Sequence, residues 1–388
     1  MSEWTTIRLG SVVRTNTTSY SPKEGWKYVN YLDTGNITEN VIDAIHHIDL
    51  ENEKLPSRAK RKVQMNSILY STVRPNQKHF GIIKSMPKNF LVSTGFAVID
   101  VISEKADADY LYFWLTQNTV VEQLHAIAEQ SVSAYPSIKA SDIENLEIAL
   151  PPLTVQKSIA SILKSISDKM SHNSNINENL EHQSLALFSN YYEQSNTEID
   201  FTDLIQVLGG GTPKTRESTY WNGNIPFFTP KDVGFPYTLA TEKTITEDGL
   251  LHCNSRLYPV NTVFVTARGT VGKVGIAGVP MAMNQSCYAL IGKGIHQLLV
   301  YFYTLKAIDR LKHKASGAVF DAIITKDFET EQVFKLSPND TDTFIRIVEP
   351  MYQSILNNSI EKQRLIALRD SLLPKLMSGE IDISKLDI

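Results

Sequence analysis

The 388-residue sequence predicts an α+β protein made by internal duplication: two mixed α/β globules separated by a long two-helix coiled coil whose helices can meet with either polarity, an antiparallel pair relating the copies by a pseudo-two-fold axis. Three observations predict it. Segments of the first half recur in the second at an offset near half the chain length. Two apolar stripes with a seven-residue period, one closing each half, mark helices that pack on other helices. The remainder of each copy consists of β-branched and aromatic runs broken by Gly, Pro and Asn, which suits sheet with long loops. So long a period excludes a solenoid of small repeats.

Taken in chain order, Asn66-Ser-Ile-Leu-Tyr-Ser-Thr-Val-Arg74 reads like Asn261-Thr-Val-Phe-Val-Thr-Ala-Arg268. Leu111-Tyr-Phe-Trp114 reads like Val300-Tyr-Phe-Tyr303, and Asp142-Ile-Glu144 like Asp327-Phe-Glu329. The offset shrinks from 195 (66 to 261) to 185 (142 to 327), so loop lengths differ early in each copy and agree late. Strands are expected at 67–73, 90–92, 96–99 and 262–266, and a short helix at 108–129, where Leu111, Leu115, Val121 and Leu124 recur at helical spacing.

The closing segments differ from the rest. After Pro151-Pro152, Ile159, Ile166, Asn173, Leu180 and Leu187 fall seven apart, with Ile162, Met170 and Ile176 filling the alternate seam. After Pro338, Phe344, Met351, Asn358, Leu365 and Leu372 do the same, each 185 beyond its counterpart. Gly and Pro are absent from Leu153 to Tyr192, which allows an unbroken helix about 55 to 60 Å long. The second helix is expected from about Asp340 to Leu373, closed by Pro374 and Gly379. These ten residues form the expected helix-pair and subunit interface. Asn173 and Asn358 are expected near each other at the local two-fold, setting register at a cost in stability. The resulting boundaries are 1–152 for the first globule, 153–192 for the central helix, 193–339 for the second globule and 340–388 for the C-terminal helix.

With 38 Lys and Arg against 42 Asp and Glu, the net charge is -4, so a polyanion must be met by a local patch. Two windows supply one. From Lys54 to Ile99 there is no acidic residue, although average composition predicts about five; Gly249 to Ile308 is acid-free as well. The first holds Arg58, Lys60, Arg61, Lys62, Arg74 and Lys78, with Asn76 beside Arg74 on a proline corner. The second holds Arg268 and Lys273. Matching acid-free windows suit a phosphate-facing surface on each globule, and Arg and Asn at rigid corners can also read base edges.

Catalytic and cofactor signatures are missing. Ala267-Arg-Gly-Thr-Val-Gly-Lys-Val274 fails as a phosphate loop because Ala267 replaces the first Gly and Val274 the magnesium-binding hydroxyl. Leu150-Pro-Pro-Leu153 has the wrong ends for an amino-methyltransferase tetrad. The nine histidines are scattered, so no metal site is expected, and Asp49-Leu-Glu-Asn-Glu53 reads as surface charge rather than a nuclease cluster. Two cysteines, Cys253 and Cys287, give no disulfide framework. With no signal peptide and no apolar stretch of about 18 residues, the expected location is the cytoplasm, without membrane association.

The sequence resembles the specificity subunits of Type I restriction-modification systems over nearly its whole length. The resemblance is carried by Gly210-Gly-Thr-Pro-Lys-Thr-Arg-Glu-Ser-Thr-Tyr-Trp-Asn-Gly-Asn-Ile-Pro-Phe-Phe-Thr-Pro-Lys-Asp232, Leu150-Pro-Pro-Leu-Thr-Val-Gln-Lys157 and Leu368-Arg-Asp-Ser-Leu-Leu-Pro-Lys-Leu-Met-Ser-Gly379. Leu55-Pro-Ser-Arg-Ala-Lys-Arg61 and Ser71-Thr-Val-Arg-Pro-Asn76 add to it. It implies two target-recognition domains, each reading half of a bipartite asymmetric site in double-stranded DNA, with the helices setting the gap and docking two modification subunits. It adds Lys214, Arg216 and Lys231 to the DNA-contacting candidates. It also implies a non-catalytic chain without cofactors of its own. S-adenosylmethionine would reside in modification subunits that methylate a flipped adenine, and ATP and Mg in restriction and translocase subunits. The Gly210 segment has no counterpart near residue 15, so the two globules should read different half-sites.

Two other functions compete. A self-sufficient methyltransferase or nuclease would turn over DNA without partners. A coiled-coil scaffold would show no salt-dependent DNA affinity.

Overall fold

The computed structural model describes residues 4–131, 135–314, 322–381 and 383. Two compact units emerge, Met1–Asp168 with Leu365–Ile388, and Lys169–Arg364. The first begins β1 (Thr5–Arg8), β2 (Val13–Thr15), β3 (Tyr28–Leu32), β4 (Ile37–Thr38), β5 (Val41–Ile42) and β6 (His46–Asp49). It continues β7 (Ala59–Arg61), β8 (Ile68–Ser71), β9 (Phe80–Ile82), β10 (Phe90–Ser93) and β11 (Phe96–Val101). Then come α1 (Ala108–Leu115), α2 (Asn118–Glu129), α3 (Ala140–Glu144), β12 (Glu147–Leu150) and the long helix α4 (Leu153–Gln194), whose later turns belong to the second unit. That unit holds β13 (Thr197–Asp200), α5 (Phe201–Leu204), β14 (Ile205–Gly209), β15 (Trp221–Phe228), β16 (Tyr237–Thr238) and β17 (Thr244–Ile245). After α6 (Glu247–Leu251) follow β18 (Val263–Thr266), β19 (Val274–Ala277), β20 (Ala282–Met283), β21 (Cys287–Gly292), α7 (Gln297–Lys314), α8 (Thr325–Glu329) and β22 (Gln332–Lys335). Helix α9 (Pro338–Met377) starts in the second unit and ends in the first.

The duplication is explicit in the sheets. The order β2-β11-β8-β9 in the first unit is matched by β14-β21-β18-β19 in the second, where β16 is added at the edge. A second sheet pairs β3 parallel with β10 and antiparallel with β6; its counterpart pairs β15 parallel with β20 and antiparallel with β17. Strand alternation feeds two core layers. Ile68 and Tyr70 of β8 face the helices, whereas Leu69 faces the second sheet; Val263, Val265 and Phe264 of β18 divide the same way. Even the caps repeat. Lys139 N–H donates to the Asp142 carboxylate at 2.7 Å ahead of α3, and Ile324 N–H to Asp327 at 2.7 Å ahead of α8.

Four sequence expectations are modified. The helix expected at 108–129 is two, because the chain breaks at Thr116–Gln117 between α1 and α2. Pro374 does not close α9: the helix continues to Met377 and Gly379 takes the left-handed conformation, φ 74°, with Trp4 packed where a Cβ would sit. Pro350 is likewise accommodated on an exposed helix face. The buried stripes also run at eleven-residue spacing, beside the seven-residue spacing kept by Gln156, Leu163 and Met170 and by Glu181 and Phe188. Ile159, Met170, Glu181 and Tyr192 are buried on α4, and Phe344, Ile355 and Met377 on α9 with half-buried Ile366 between. Three turns of a straight helix take about 11 residues, whereas a seven-residue stripe drifts by about 20° per heptad. Leu180, Leu187, Met351 and Leu365 are therefore half-buried rather than central, as are Ile166 and Leu372, and Ile176 is exposed.

Register differs as well. Within the second unit, rising numbers on α4 meet falling numbers on α9, so the helices are antiparallel there: Asn173 donates to Glu361 at 2.7 Å, and the Ser184 hydroxyl points at the Met351 sulfur at 3.6 Å. Asn358 donates to Asn177 at 2.9 Å and not to Asn173. Asn177 in turn donates to the Ile355 carbonyl and the Ser359 hydroxyl, both at 3.2 Å. The polar register contact thus exists, one helical turn from the position expected from the heptads.

Candidate nucleic-acid interface

In the first unit, four loops are stitched together at one end of the sheets. Thr94 N–H donates to the Arg58 carbonyl at 2.8 Å, and Thr72 N–H and hydroxyl both reach the Gly95 carbonyl at 2.8 Å. Gly95 packs so close to Thr34 that a Cβ would lie 2.8 Å from its methyl. Arg58 and Arg74 are thereby carried on adjoining loops. Arg74 adopts φ 48° ahead of Pro75, and the turn Pro75–Gln77 puts Asn76 at an exposed tip. The 72–74 backbone is zipped to 136–138 by Arg74 N–H to Pro136 O at 2.9 Å and Ile138 N–H to Thr72 O at 2.8 Å.

Electrostatics separates the candidates. Arg58 and Lys60 are exposed, and no carboxylate pairs with either among the described residues. Burial alone would raise Asp33, but hydrogen bonds from Thr34 N–H and from the Tyr31 and Ser93 hydroxyls, together with the Arg58 charge, hold it below the usual carboxylate range. Arg61 is half-buried, with one guanidinium nitrogen buried and unpartnered, and burial lowers its pKa. Lys62 is paired with Glu24 and lies 5.2 Å from the centre of the Trp26 ring, while Lys78 pairs with Glu39 at 3.0 Å. The sequence windows were acid-free, yet partners from outside them reach Lys62 and Lys78. These two side chains are thus already engaged by carboxylates, which composition alone does not reveal.

The second unit repeats the arrangement. Ile323 N–H donates to Ala267 O at 2.9 Å as Ile138 does to Thr72, and Ala267 N–H donates to Ser286 O at 2.8 Å as Thr72 does to Gly95. The loop between β18 and β19 carries exposed Arg268 and Lys273, with Gly269 and Gly272 supplying the left-handed positions. Thr270 donates to the Pro230 carbonyl at 3.1 Å, which brings exposed Lys231 to the same end, where it makes a long surface ion pair with Glu242 at 3.9 Å. Gly210 fits against the Asn284 carbonyl, where a Cβ would lie 2.1 Å away, and Gly211 against Asn254 at 2.6 Å. The Gly-Gly-Thr-Pro segment is therefore a close backbone approach that anchors the exposed Lys214 and Arg216. Trp221 braces it by donating to the Lys214 carbonyl at 3.2 Å.

Sequence reasoning missed several groups. Tyr135 lies under the Arg74 guanidinium, 5.0 Å from ring centre to carbon, and Lys312 of α7 reaches Gly272 of the basic loop. Buried Gln156 of α4 ties the helix start to the first unit, accepting from Asp107 N–H at 2.9 Å and donating to Pro151 O at 2.8 Å. Buried Glu181 accepts from Tyr301 at 2.8 Å and Tyr352 at 2.5 Å, and burial pushes its pKa up against those hydrogen bonds. Only Gln156 lay inside a singled-out motif. Asp49 caps a turn by accepting from Glu51 N–H and Asn52, and His46 and His47 bond to Asn36 and Asn30. No helix is long and apolar enough to cross a membrane among the described residues.

The sequence profile of the Type I restriction modification DNA specificity domain matches residues 1–182 and again 195–368. The Type I restriction enzyme HindI specificity subunit of Haemophilus influenzae is 23% identical, covering 98% of this chain and all of its own. The EcoR124I/EcoR124II specificity subunit of Escherichia coli is 30% identical over 44% of this chain and 46% of its own. The crystal structure of the Type-I restriction-modification system S subunit from M. genitalium shares the fold, with TM-score 0.62 at 16% identity, covering 97% of this chain and 96% of that one.

Proposed function

Because the chain belongs to the Type I restriction modification DNA specificity domain family, we propose that its two basic loop clusters each read one half of a bipartite, asymmetric site in double-stranded DNA. The chain is the sequence-recognition subunit and performs no catalysis itself. It works with the other subunits of its complex. In this reading α4 and α9 set the gap between half-sites and dock two modification subunits, which bring S-adenosylmethionine, while restriction and translocase subunits bring ATP and Mg. The assembly is cytoplasmic.

The observation that carries the reading is the recurrence, at equivalent places of a duplicated fold, of stitched loops bearing exposed basic side chains: Arg58 and Arg74 in one unit, Arg268 with Lys231 and Lys273 in the other. Phosphate contacts by such residues hold the duplex, and base edges supply the specificity. Different loop lengths and the Gly210–Arg216 insertion give the units different readers, hence an asymmetric site.

Duplex binding by the full-length chain tests this directly. Log affinity should fall linearly with log salt, with a slope of about -0.9 per phosphate contact. Arg58→Ala with Lys60→Ala should weaken binding to all sequences and flatten that slope by about one to two units. A salt-independent affinity, or a slope untouched by the double substitution, would refute the assignment of this face.

A further inference from the structure

We infer that Tyr135 positions Arg74, and that the Arg74–Tyr135 stack is a preformed reader of a guanine in the half-site contacted by the first unit. The inference rests on the proposed reading of that face as DNA-contacting. Its basis is a residue held from both sides. Arg74 adopts φ 48°, a left-handed conformation that L-residues rarely enter, directly before a proline. Its N–H is spent on Pro136 O at 2.9 Å, its carbonyl accepts from Gln77 N–H at 2.9 Å, and Val73 bridges Ser137. The backbone is thus fixed, and the side chain leaves it towards Tyr135, which stays 59% exposed.

Arg74 is exposed, with its guanidinium carbon 5.0 Å from the Tyr135 ring centre, and a guanidinium carries the fork of N–H donors that matches O6 and N7 of guanine in the major groove. A phosphate can accept the same fork, but such a contact carries no preference among bases, so loss of base preference is what separates the two. No carboxylate competes for Arg74 among the described residues, in contrast to Lys62, Lys78 and Lys84, which pair with Glu24, Glu39 and Asp109. The second unit is built differently. There Arg268 is followed by Gly269, which itself takes the positive φ of 82°, and no ring stacks on Arg268 among the described residues. The first unit's reader is therefore the ordered one, with less freedom to lose on binding.

The test uses the full-length chain and the duplex it selects from a random pool. Arg74→Lys identifies the position, by lowering the preference for guanine there about tenfold or more; 7-deazaguanine at that position should mimic the loss in the wild type, since it removes N7. Tyr135→Ala should lower the same preference about two- to fivefold, the worth of an exposed cation–π contact, with the salt slope and the second half-site preference unchanged. Tyr135→Phe should restore it, because stacking needs the ring and not the hydroxyl. The unchanged second half-site also shows that the variants are folded. Equal weakening of matched and mismatched duplexes by Tyr135→Ala would overturn the inference and make Arg74 a phosphate clamp. So would a Tyr135→Phe as impaired as Tyr135→Ala. A wild type without salt-dependent duplex affinity would overturn the proposed function itself, whereas selective wild-type binding with an unaltered Tyr135→Ala removes only this inference.

Discussion

Replacing Glu181 should loosen the second unit selectively. Its carboxylate is fully buried and accepts from Tyr301 of α7 and Tyr352 of α9, so that one side chain of α4 joins three helices. Removing it in Glu181→Ala strands two buried hydroxyls at about 1 to 3 kcal/mol each and opens a void, against which stands relief from burying a carboxyl group; about 3 to 5 kcal/mol of net destabilisation follows. Glu181→Gln keeps an acceptor for one tyrosine and a donor for the other, and should stay within about 1 kcal/mol. Desolvation raises the folded-state pKa of Glu181, which makes the sign of its pH effect definite. Protons are bound more tightly in the folded chain, so its contribution is greatest below the unfolded carboxylate pKa and is lost as pH rises through the folded value. Glu181→Gln lacks that loss, and its stability relative to the wild type should climb across this window. A two-unit chain is not expected to unfold in one step, so the readout is amide hydrogen exchange at Phe302–Thr304 against Leu69–Ser71. Protection at 302–304 within about fivefold of wild type in Glu181→Ala, or equal loss at both places, would refute the reasoning.

Two further perturbations act on the recognition end and the helix pair. Gly210→Ala places a methyl 2.1 Å from the Asn284 carbonyl, so the loop bearing Lys214 and Arg216 must shift; sequence selection should lose preference in the second half-site and keep it in the first. Asn177→Leu strands the amide of Asn358 and should destabilise the second unit by about 1 to 3 kcal/mol, while adding Asn358→Leu should recover most of that, since both polar groups are then gone. A thermodynamic cycle of the two single variants and the double variant measures the coupling.

The duplication, the α+β class and both long helices were legible because each rests on local pattern: period-two and helical spacing, absence of breakers, and short segments repeated at a fixed offset. The strands expected at 67–73 and 262–266 became β8 and β18, and the Asp142 and Asp327 matches became identical caps. The stripe was less legible. Glu181 and Ser184 occupy buried seam positions where an apolar search does not look, and Tyr301 and Tyr352 are what make the glutamate tolerable. Pro374 does not stop α9, which runs on to Met377 before Gly379 turns the chain in the left-handed conformation.

Charge shows the division most clearly. Composition along the chain was enough to find two basic, acid-free windows, because depletion is a property of neighbours in sequence. Whether a given cation in them is free was decided by neighbours in space. Glu24 and Glu39 lie outside the window yet neutralise Lys62 and Lys78, while Arg58 and Lys60 remain unpaired among the described residues. Tyr135 stands 61 residues from the arginine it stacks on, and only the pairing of 72–74 with 136–138 brings them together. Coulomb and stacking energies fall off over a few ångströms whatever the separation along the chain, so the residues available to DNA are fixed by folding and not by sequence order.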